Sequence, residues 1–384
     1  MIPAAVFLDA CQAHGIRFIT GTPCSYLKPL INAAIGDPRF RFRDAVNEGD
    51  AVAMAAGAAL AGVRGLVMFQ NSGLGNAVNA LTSLCHPFRV PVLLVVTHRG
   101  EPGGEPDEPQ HELMGRITPA LLDTIGVAWA RFPTEAAAVP AALDAALAHM
   151  AATGRSYALI MAKDAVAPHA LAQPQAGGPI GTRELAVREV LMRARADRMT
   201  RTEALQVIRA ARDPRGVQIA TTGYTGRELY ALGDDPWNLY LVGSMGSASA
   251  FGLGVALHCP GRPVTVIEGD GAVLMRMGNL ATLGAYAPPE LLHVVLDNEA
   301  HDSTGGQATV SRGVQLAAVA RACGYAAVWS TDDPTALAAA LRTPATGPRF
   351  VHCRIRPGAP DKLPRPKVTP AEVFGRLSRW LAAP

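Results

Sequence analysis

Glu48, Asp270 and Asn298 are the residues of this sequence whose types and surroundings could do chemistry. The β-rich run 264–268 leads into Gly269-Asp270-Gly271 and then a helical segment over 272–286, an arrangement that turns free backbone N–H groups toward an anion. The next β-rich run, 291–297, ends at Asn298, twenty-eight residues after Asp270. If the two strands are neighbours, a carboxylate and an amide oxygen meet at their ends. Together with the backbone carbonyl of Ala300 and a ligand's phosphate oxygens, they make the sparse oxygen set that suits Mg²⁺, an ion that dehydrates reluctantly. Taken alone, Gly-Asp-Gly is more often a turn, and the pairing with Asn298 is what points to a metal.

Glu48 has a different setting. The run 41–46 ends at Asn47-Glu48-Gly49-Asp50 and enters the Ala-rich segment 51–60, apolar enough to be a buried helix. A partly desolvated carboxylate at the mouth of such a helix is suited to hold and exchange a proton. The plainer reading is an acidic residue placed by the helix dipole.

The elements that must position these residues alternate in the βα style of parallel sheets covered on both faces. A helix is expected over 4–14, after Pro3 and before Gly15. Strands are expected over 17–20, 41–46, 66–70, 92–97, 127–132 and 157–162. After a Pro/Gly-rich stretch come a helix over 202–211 and strands over 217–220, 239–243, 264–268, 291–297, 326–329 and 350–355. The fold class is α/β: two doubly wound parallel-sheet domains, over 1–165 and 199–384, joined by a linker over 166–198. The similar element order of the two halves suggests related sheets, with ligand loops at the carboxyl ends of the strands.

Composition excludes other classes. A length of 384 residues suits two domains at roughly 100–200 residues each. The apolar residues, 49% of the chain, lie in short runs instead of the ~20-residue stretch that spans a bilayer, so no membrane partner is expected. The net charge of +3 is small and the basic residues do not cluster, which argues against nucleic acid. The N-terminus shows no secretory pattern, and the six cysteines, without a C-x-x-C pair, read as buried cytoplasmic thiols.

The Gly-Asp-Gly…Asn pattern resembles that of the thiamine-diphosphate enzymes, and Glu48 matches the activating glutamate of that family ahead of its Ala-rich helix. The resemblance implies thiamine diphosphate and Mg²⁺ as cofactors, with Asp270, Asn298 and the Ala300 carbonyl on the metal. It further implies that Met245 supports the bent cofactor, that the Gly243 carbonyl meets its 4′-amino group, and that Ser247, Gly271 and Ala272 complete the binding site. In the family Glu48 and the metal pair come from different subunits, so a homodimer or larger homo-oligomer is expected. Asn71-Ser72-Gly73-Leu74-Gly75-Asn76 matches the family's Gly-rich turn. It also invites a dinucleotide-binding oxidoreductase reading, against which Val78 stands in place of the third glycine.

The chain lacks the length for the family's usual central third domain. That resembles the short branch acting on phosphonopyruvate or sulfopyruvate, a small anionic 2-oxo acid in either case. Three segments are similar to the phosphonopyruvate enzymes: 21–29, 99–111 and 301–307. The implied products are phosphonoacetaldehyde and CO₂, on an antibiotic or phosphonolipid route of phosphonate biosynthesis. The expected substrate donors are Ser25, Lys28, Arg99, Ser303 and Thr304. His301, Asp302 and His111 are the candidate proton donors, and a non-catalytic homologue stays open as an alternative. Glu299 stands where the family often has glycine, so the loop after Asn298 is the place to look for a departure.

Overall fold

The computed structural model describes residues 1–172, 187–189 and 195–382. Two compact units, residues 1–177 and 178–384, account for the chain. The division falls inside the expected linker, most of which lies outside the described residues.

In the first unit the short apolar runs become a parallel sheet of β1 (Ile16–Gly21), β2 (Arg41–Asp44), β3 (Arg64–Phe69), β4 (Leu93–Thr97), β5 (Ala128–Arg131) and β6 (Tyr157–Met161), in the order β2-β1-β3-β4-β6-β5. Continuous apolar character follows position in that order. Central β4 is buried at every residue, whereas the edge strands β2 and β5 carry exposed arginines. The helix Glu48–Leu60 is buried from Gly49 to Ala58, as its composition demands, and Asn47 caps it by accepting from the Gly49 N–H. The stretch 136–153 is long and apolar enough to cross a membrane, but Val139, Leu143, Ala146 and Met150 line one face and join the unit's hydrophobic core.

The second unit holds β7 (Arg188–Glu189), β8 (Val217–Ala220), β9 (Asn238–Tyr240), β10 (Val264–Gly269), β11 (Leu291–Asp297), β12 (Ala300–His301), β13 (Gln307–Ala308), β14 (Ala327–Thr331) and β15 (Arg349–Arg354). Strands β12 and β13 form a small antiparallel hairpin. The others make a parallel sheet ordered β7-β14-β15-β11-β10-β8-β9. With the two-residue β7 set aside, its six strands numbered along the chain run 2-1-3-4-6-5, the order of the first sheet. The halves are therefore versions of one sheet, each with a switch point between its first and third strands.

Two elements differ from the sequence reading. The helix expected over 272–286 is two helices, Asp270–Met275 and Asn279–Tyr286, parted at Arg276, whose φ of −133° is not helical. The loop at Gly246 packs against this break: a Cβ there would fall 2.6 Å from Arg276 Cγ and 2.9 Å from the Ala272 carbonyl. The strand expected over 239–243 stops at Tyr240, and the chain then passes through left-handed Ser244 (φ 52°) and Gly246 (φ 89°). All six cysteines are free, but Cys259 and Cys323 are half-exposed, contrary to the expectation of buried thiols at those positions.

Candidate active site

The second unit gathers most of the expected residues in one small cleft of about 70 Å³ at the carboxyl ends of β8, β10 and β11. Met245, Asp270, Gly271, Ala272, Asn298, Ala300, His301, Asp302 and Ser303 all line it. Strands β10 and β11 pair in register from Val264↔Leu291 to Gly269↔Leu296, so Asp270 and the Asp297-Asn298 pair leave adjacent strands at the same level. Gly271 sits where two side chains cross: a Cβ on it would fall 2.7 Å from the His301 ring and 3.1 Å from Met245 Cε. Only glycine lets both approach this turn.

Asp270 and Asp297 are both almost wholly buried. Burial, together with the charge of Asp297, pushes the Asp270 carboxyl above its ordinary range. Burial acts on Asp297 in the same sense. It is outweighed by the hydrogen bond and charge of His352, with further help from Ser311 and the Glu299 N–H, and Asp297 titrates low. A chain of hydroxyls joins the two acids. Thr309 donates to Asp270 Oδ2, Ser311 Oγ donates to Asp297 Oδ1 at 3.0 Å, and the two hydroxyls are 2.9 Å apart. His352 Nε2 lies 2.8 Å from Asp297 Oδ2. Both carboxylates thus meet neutral donors and one imidazole, a donor set that leaves room for a cation.

Anion-binding features face the same cleft. The β8–helix turn Thr221-Thr222-Gly223 opens the helix Tyr224–Ala231, and the helix Asp270–Met275 begins opposite it. The Thr221 hydroxyl is buried without a partner among the described residues, as expected of a group reserved for a ligand. Gly243 and Ser247 lie in the neighbouring loop, where Ser247 Oγ is held 2.7 Å from Ser244 Oγ and away from the cleft lining.

Glu299 stands in the left-handed region at φ 61°, the conformation for which the family's glycine is suited. Three guanidinium groups hold it there: Arg312 at 3.1 Å, Arg195 at 3.2 Å and Arg198 at 3.6 Å. Farther along this loop Ser303 and Thr304 are exposed, and Thr304 Oγ1 bonds within the hairpin, donating to the His301 carbonyl at 3.2 Å. Asp302 accepts from Asn298 Nδ2, Arg201 Nη2 and the Gly358 N–H.

In the first unit Glu48 is half-buried, and both of its oxygens are bonded. Thr22 Oγ1 donates to Oε1 at 2.9 Å and Asn76 Nδ2 to Oε2 at 2.8 Å. The Gly-x-Gly turn exists to make room for it: a Cβ on Gly73 would fall 2.3 Å from Glu48 Oε1, while Gly75 has nothing near it. This removes the ground for the dinucleotide reading, since the glycine admits a carboxylate where that reading needs a diphosphate.

The remaining expected donors do not form one pocket. Arg99 is committed to Asp107 through Nε (3.0 Å) and Nη2 (2.7 Å). That pair holds the Asp107 carboxyl well below the usual range, even against burial. Tyr26 donates to the same carboxylate at 3.2 Å and lies under the Arg99 guanidinium. Ser25 and Lys28 are exposed at the start of the helix Lys28–Gly36. His111 is buried with Nδ1 unpartnered. Sequence reasoning missed Thr22, Asn76, Thr309, Ser311 and His352. Thr22 and Asn76 lie within segments already singled out, but nothing in the sequence marks the last three.

Comparison with known proteins agrees with this geometry. Residues 2–116 match the family model of the thiamine pyrophosphate enzyme N-terminal TPP binding domain, and residues 233–353 match that of the C-terminal TPP binding domain. A phosphonopyruvate decarboxylase of Streptomyces viridochromogenes is 48% identical over 100% of this chain and 96% of its own length. A sulfopyruvate decarboxylase of Methanosarcina acetivorans is 28% identical over 99% of this chain and 97% of its own. Among solved structures, a thiamine diphosphate-dependent 4-hydroxybenzoylformate decarboxylase of Rhodococcus jostii superposes with a TM-score of 0.72 at 14% identity, covering 93% of this chain and 99% of that one. That likeness extends to the fold. From the paired TPP-binding domains and the full-length similarity, the chain belongs to the phosphonopyruvate decarboxylase family of thiamine pyrophosphate enzymes.

Proposed function

We propose that the chain decarboxylates 3-phosphonopyruvate to phosphonoacetaldehyde and CO₂, in the cytoplasm and within phosphonate biosynthesis, with thiamine diphosphate and Mg²⁺ as cofactors. The observation that carries the reading is similarity to a phosphonopyruvate decarboxylase along the whole chain at 48% identity, against 28% for the sulfopyruvate relative.

The cleft of the second unit fits the diphosphate and its metal. Asp270, Asn298 and the Ala300 carbonyl supply oxygen ligands, and two buried carboxylates with a single histidine gain from a divalent cation. The orphan Thr221 hydroxyl and the two helix starts provide donors for phosphate oxygens, with Gly271 and Ala272 beside them, and Ser247 would act from the neighbouring loop, where Ser244 holds its hydroxyl. Met245 would support the ring system, and the Gly243 carbonyl would receive its amino group. When bound, thiamine diphosphate takes up the electron pair released as CO₂ leaves.

Glu48, fixed by Thr22 and Asn76, would hold and exchange the proton at N1′ of the aminopyrimidine. His301, whose ring lines the cleft, would deliver a proton to the carbon that loses CO₂, and His111 is the second choice. Ser25, Lys28, Ser303 and Thr304 are exposed donors proposed for the carboxylate and phosphonate, and Arg99, which is bonded to Asp107, is a fifth candidate. Val46, Leu113, Met275 and Val310, near the functional loops, are 54–73% exposed and apolar, which supports a homodimer or larger homo-oligomer.

Steady-state kinetics with Mg²⁺ and thiamine diphosphate should give the highest kcat/KM on phosphonopyruvate among phosphonopyruvate, sulfopyruvate and pyruvate. Equal or greater efficiency on sulfopyruvate would sink the substrate assignment. Glu48→Gln should lower kcat by about 10²–10⁴-fold while cofactor binding stays measurable, and full activity in that variant would remove its role. Gly73→Ala tests the same carboxylate differently. The backbone there (φ −74°) tolerates alanine, and the clash is confined to the end of the Glu48 side chain. Its turnover should fall by about 10²-fold through displacement of Glu48, with the unfolding temperature nearly unchanged. Wild-type turnover in Gly73→Ala would show that the glycine does not serve Glu48.

A further inference from the structure

His301 and Asp302 are neighbours in sequence and equally plausible there as proton donors, yet their contacts divide them. The His301 ring lies against Gly271 and Met245 in the cleft. Three donors converge on Asp302 Oδ2: Asn298 Nδ2 at 2.6 Å, Arg201 Nη2 at 2.6 Å and the Gly358 N–H at 3.0 Å. Arg201 is itself buried and reaches on to Glu228 Oε1 at 2.7 Å, and Glu228 also accepts from Thr202 at 2.7 Å. Two distant stretches of chain, at 201 and 358, thus fix the Asp302 carboxylate against the side chain of Asn298.

An asparagine offers two nearly isosteric faces, and a half-turn of its amide exchanges an oxygen for an NH₂ that no metal ion accepts. A carboxylate receiving three hydrogen bonds decides which face it meets. The NH₂ must point to Asp302, which leaves Oδ1 for the other side, and the Ala300 N–H, 3.3 Å from Oδ1, agrees.

We propose that Asp302 is a positioning residue, which holds the Asn298 amide so that Oδ1 is presented to a divalent cation, and that it delivers no proton. The assignment rests on the reading of the cleft as the Mg²⁺–thiamine diphosphate site. Residues that orient metal ligands typically change metal affinity by about 10–100-fold when removed.

The test uses the full chain and measures thiamine diphosphate binding by calorimetry as Mg²⁺ is titrated, then kcat at saturating Mg²⁺. Asp302→Ala should raise the Mg²⁺ needed for half-maximal cofactor binding by about 10–100-fold. Asp302→Asn keeps an oxygen to accept from Asn298 and should restore most of that affinity, with kcat within a few-fold of the parent at saturating Mg²⁺. A proton donor behaves in the opposite way. If Asp302→Asn keeps the parent's Mg²⁺ dependence but loses about 10²-fold or more in kcat, the positioning role is overturned. The Asn variant decides the matter even if the Ala variant fails to fold. Asp270→Ala, which removes a direct ligand, should abolish the Mg²⁺ dependence altogether. A parent chain that binds the cofactor without regard to Mg²⁺ would overturn the site reading, and this assignment with it, whereas a responsive parent beside an Asp302→Ala variant that keeps the parent's Mg²⁺ requirement overturns this assignment alone.

Discussion

Two carboxylates brought together under the surface, with one histidine to offset them, are the condition to which the second unit is built. Desolvating an ion costs several kcal/mol even after relaxation, so Asp270 and Asp297 persist only because hydrogen bonds and neighbouring charge meet them. The parallel register of β10 and β11 forces the juxtaposition, since each acid stands where its strand ends. Thr309 and Ser311 then fix the oxygens, and His352 from β15 binds the far side of Asp297. What stays unmet is negative charge at Asp270, in the cleft that Asn298 and Ala300 share. The loop that follows answers to the same demand, because its course places Thr309 over Asp270 and Asp302 against Asn298.

The first unit solves a smaller version of this problem with space instead of charge. Glu48 is kept half-exposed, with one neutral donor on each oxygen and no ion pair among the described residues. Neutral partners leave a carboxyl group able to exchange a proton, whereas an arginine would hold it ionised. Asp107, clamped by Arg99 and pushed far below the usual carboxylate range, shows what the other choice does within the same unit.

The fold was legible because short apolar runs separated by Gly, Pro and Asn can hardly pack otherwise than as parallel strands with helical crossovers, and eleven of the twelve main strands lie within two residues of where the runs place them at both ends. The exception was decided by backbone conformation: Ser244 and Gly246 turn the chain after Tyr240 to form the loop beneath the cleft. Site residues that leave a mark on local sequence, such as Asp270 after a strand or Glu48 before an apolar helix, were legible too. Thr309, Ser311 and His352 were not. Each is a common residue type whose meaning depends on a partner far along the chain, His352 being fifty-five residues from Asp297.

Glu299 and Asp302 show how such long-range partners change the meaning of a local pattern. Where a glycine would adopt the left-handed turn after Asn298 at no steric cost, this chain uses a glutamate and surrounds it with Arg195, Arg198 and Arg312. The strain is small for one residue, of order 1 kcal/mol, and a side chain anchored by several guanidinium groups offsets it while tying the turn to two other segments. A glycine would permit the turn, whereas this glutamate enforces it. With Asp302 bound to Arg201 on the other side of Asn298, the metal-binding asparagine of the proposed site is gripped from both flanks. Beyond these anchors the Ser303–Gly306 tip of the loop stays exposed.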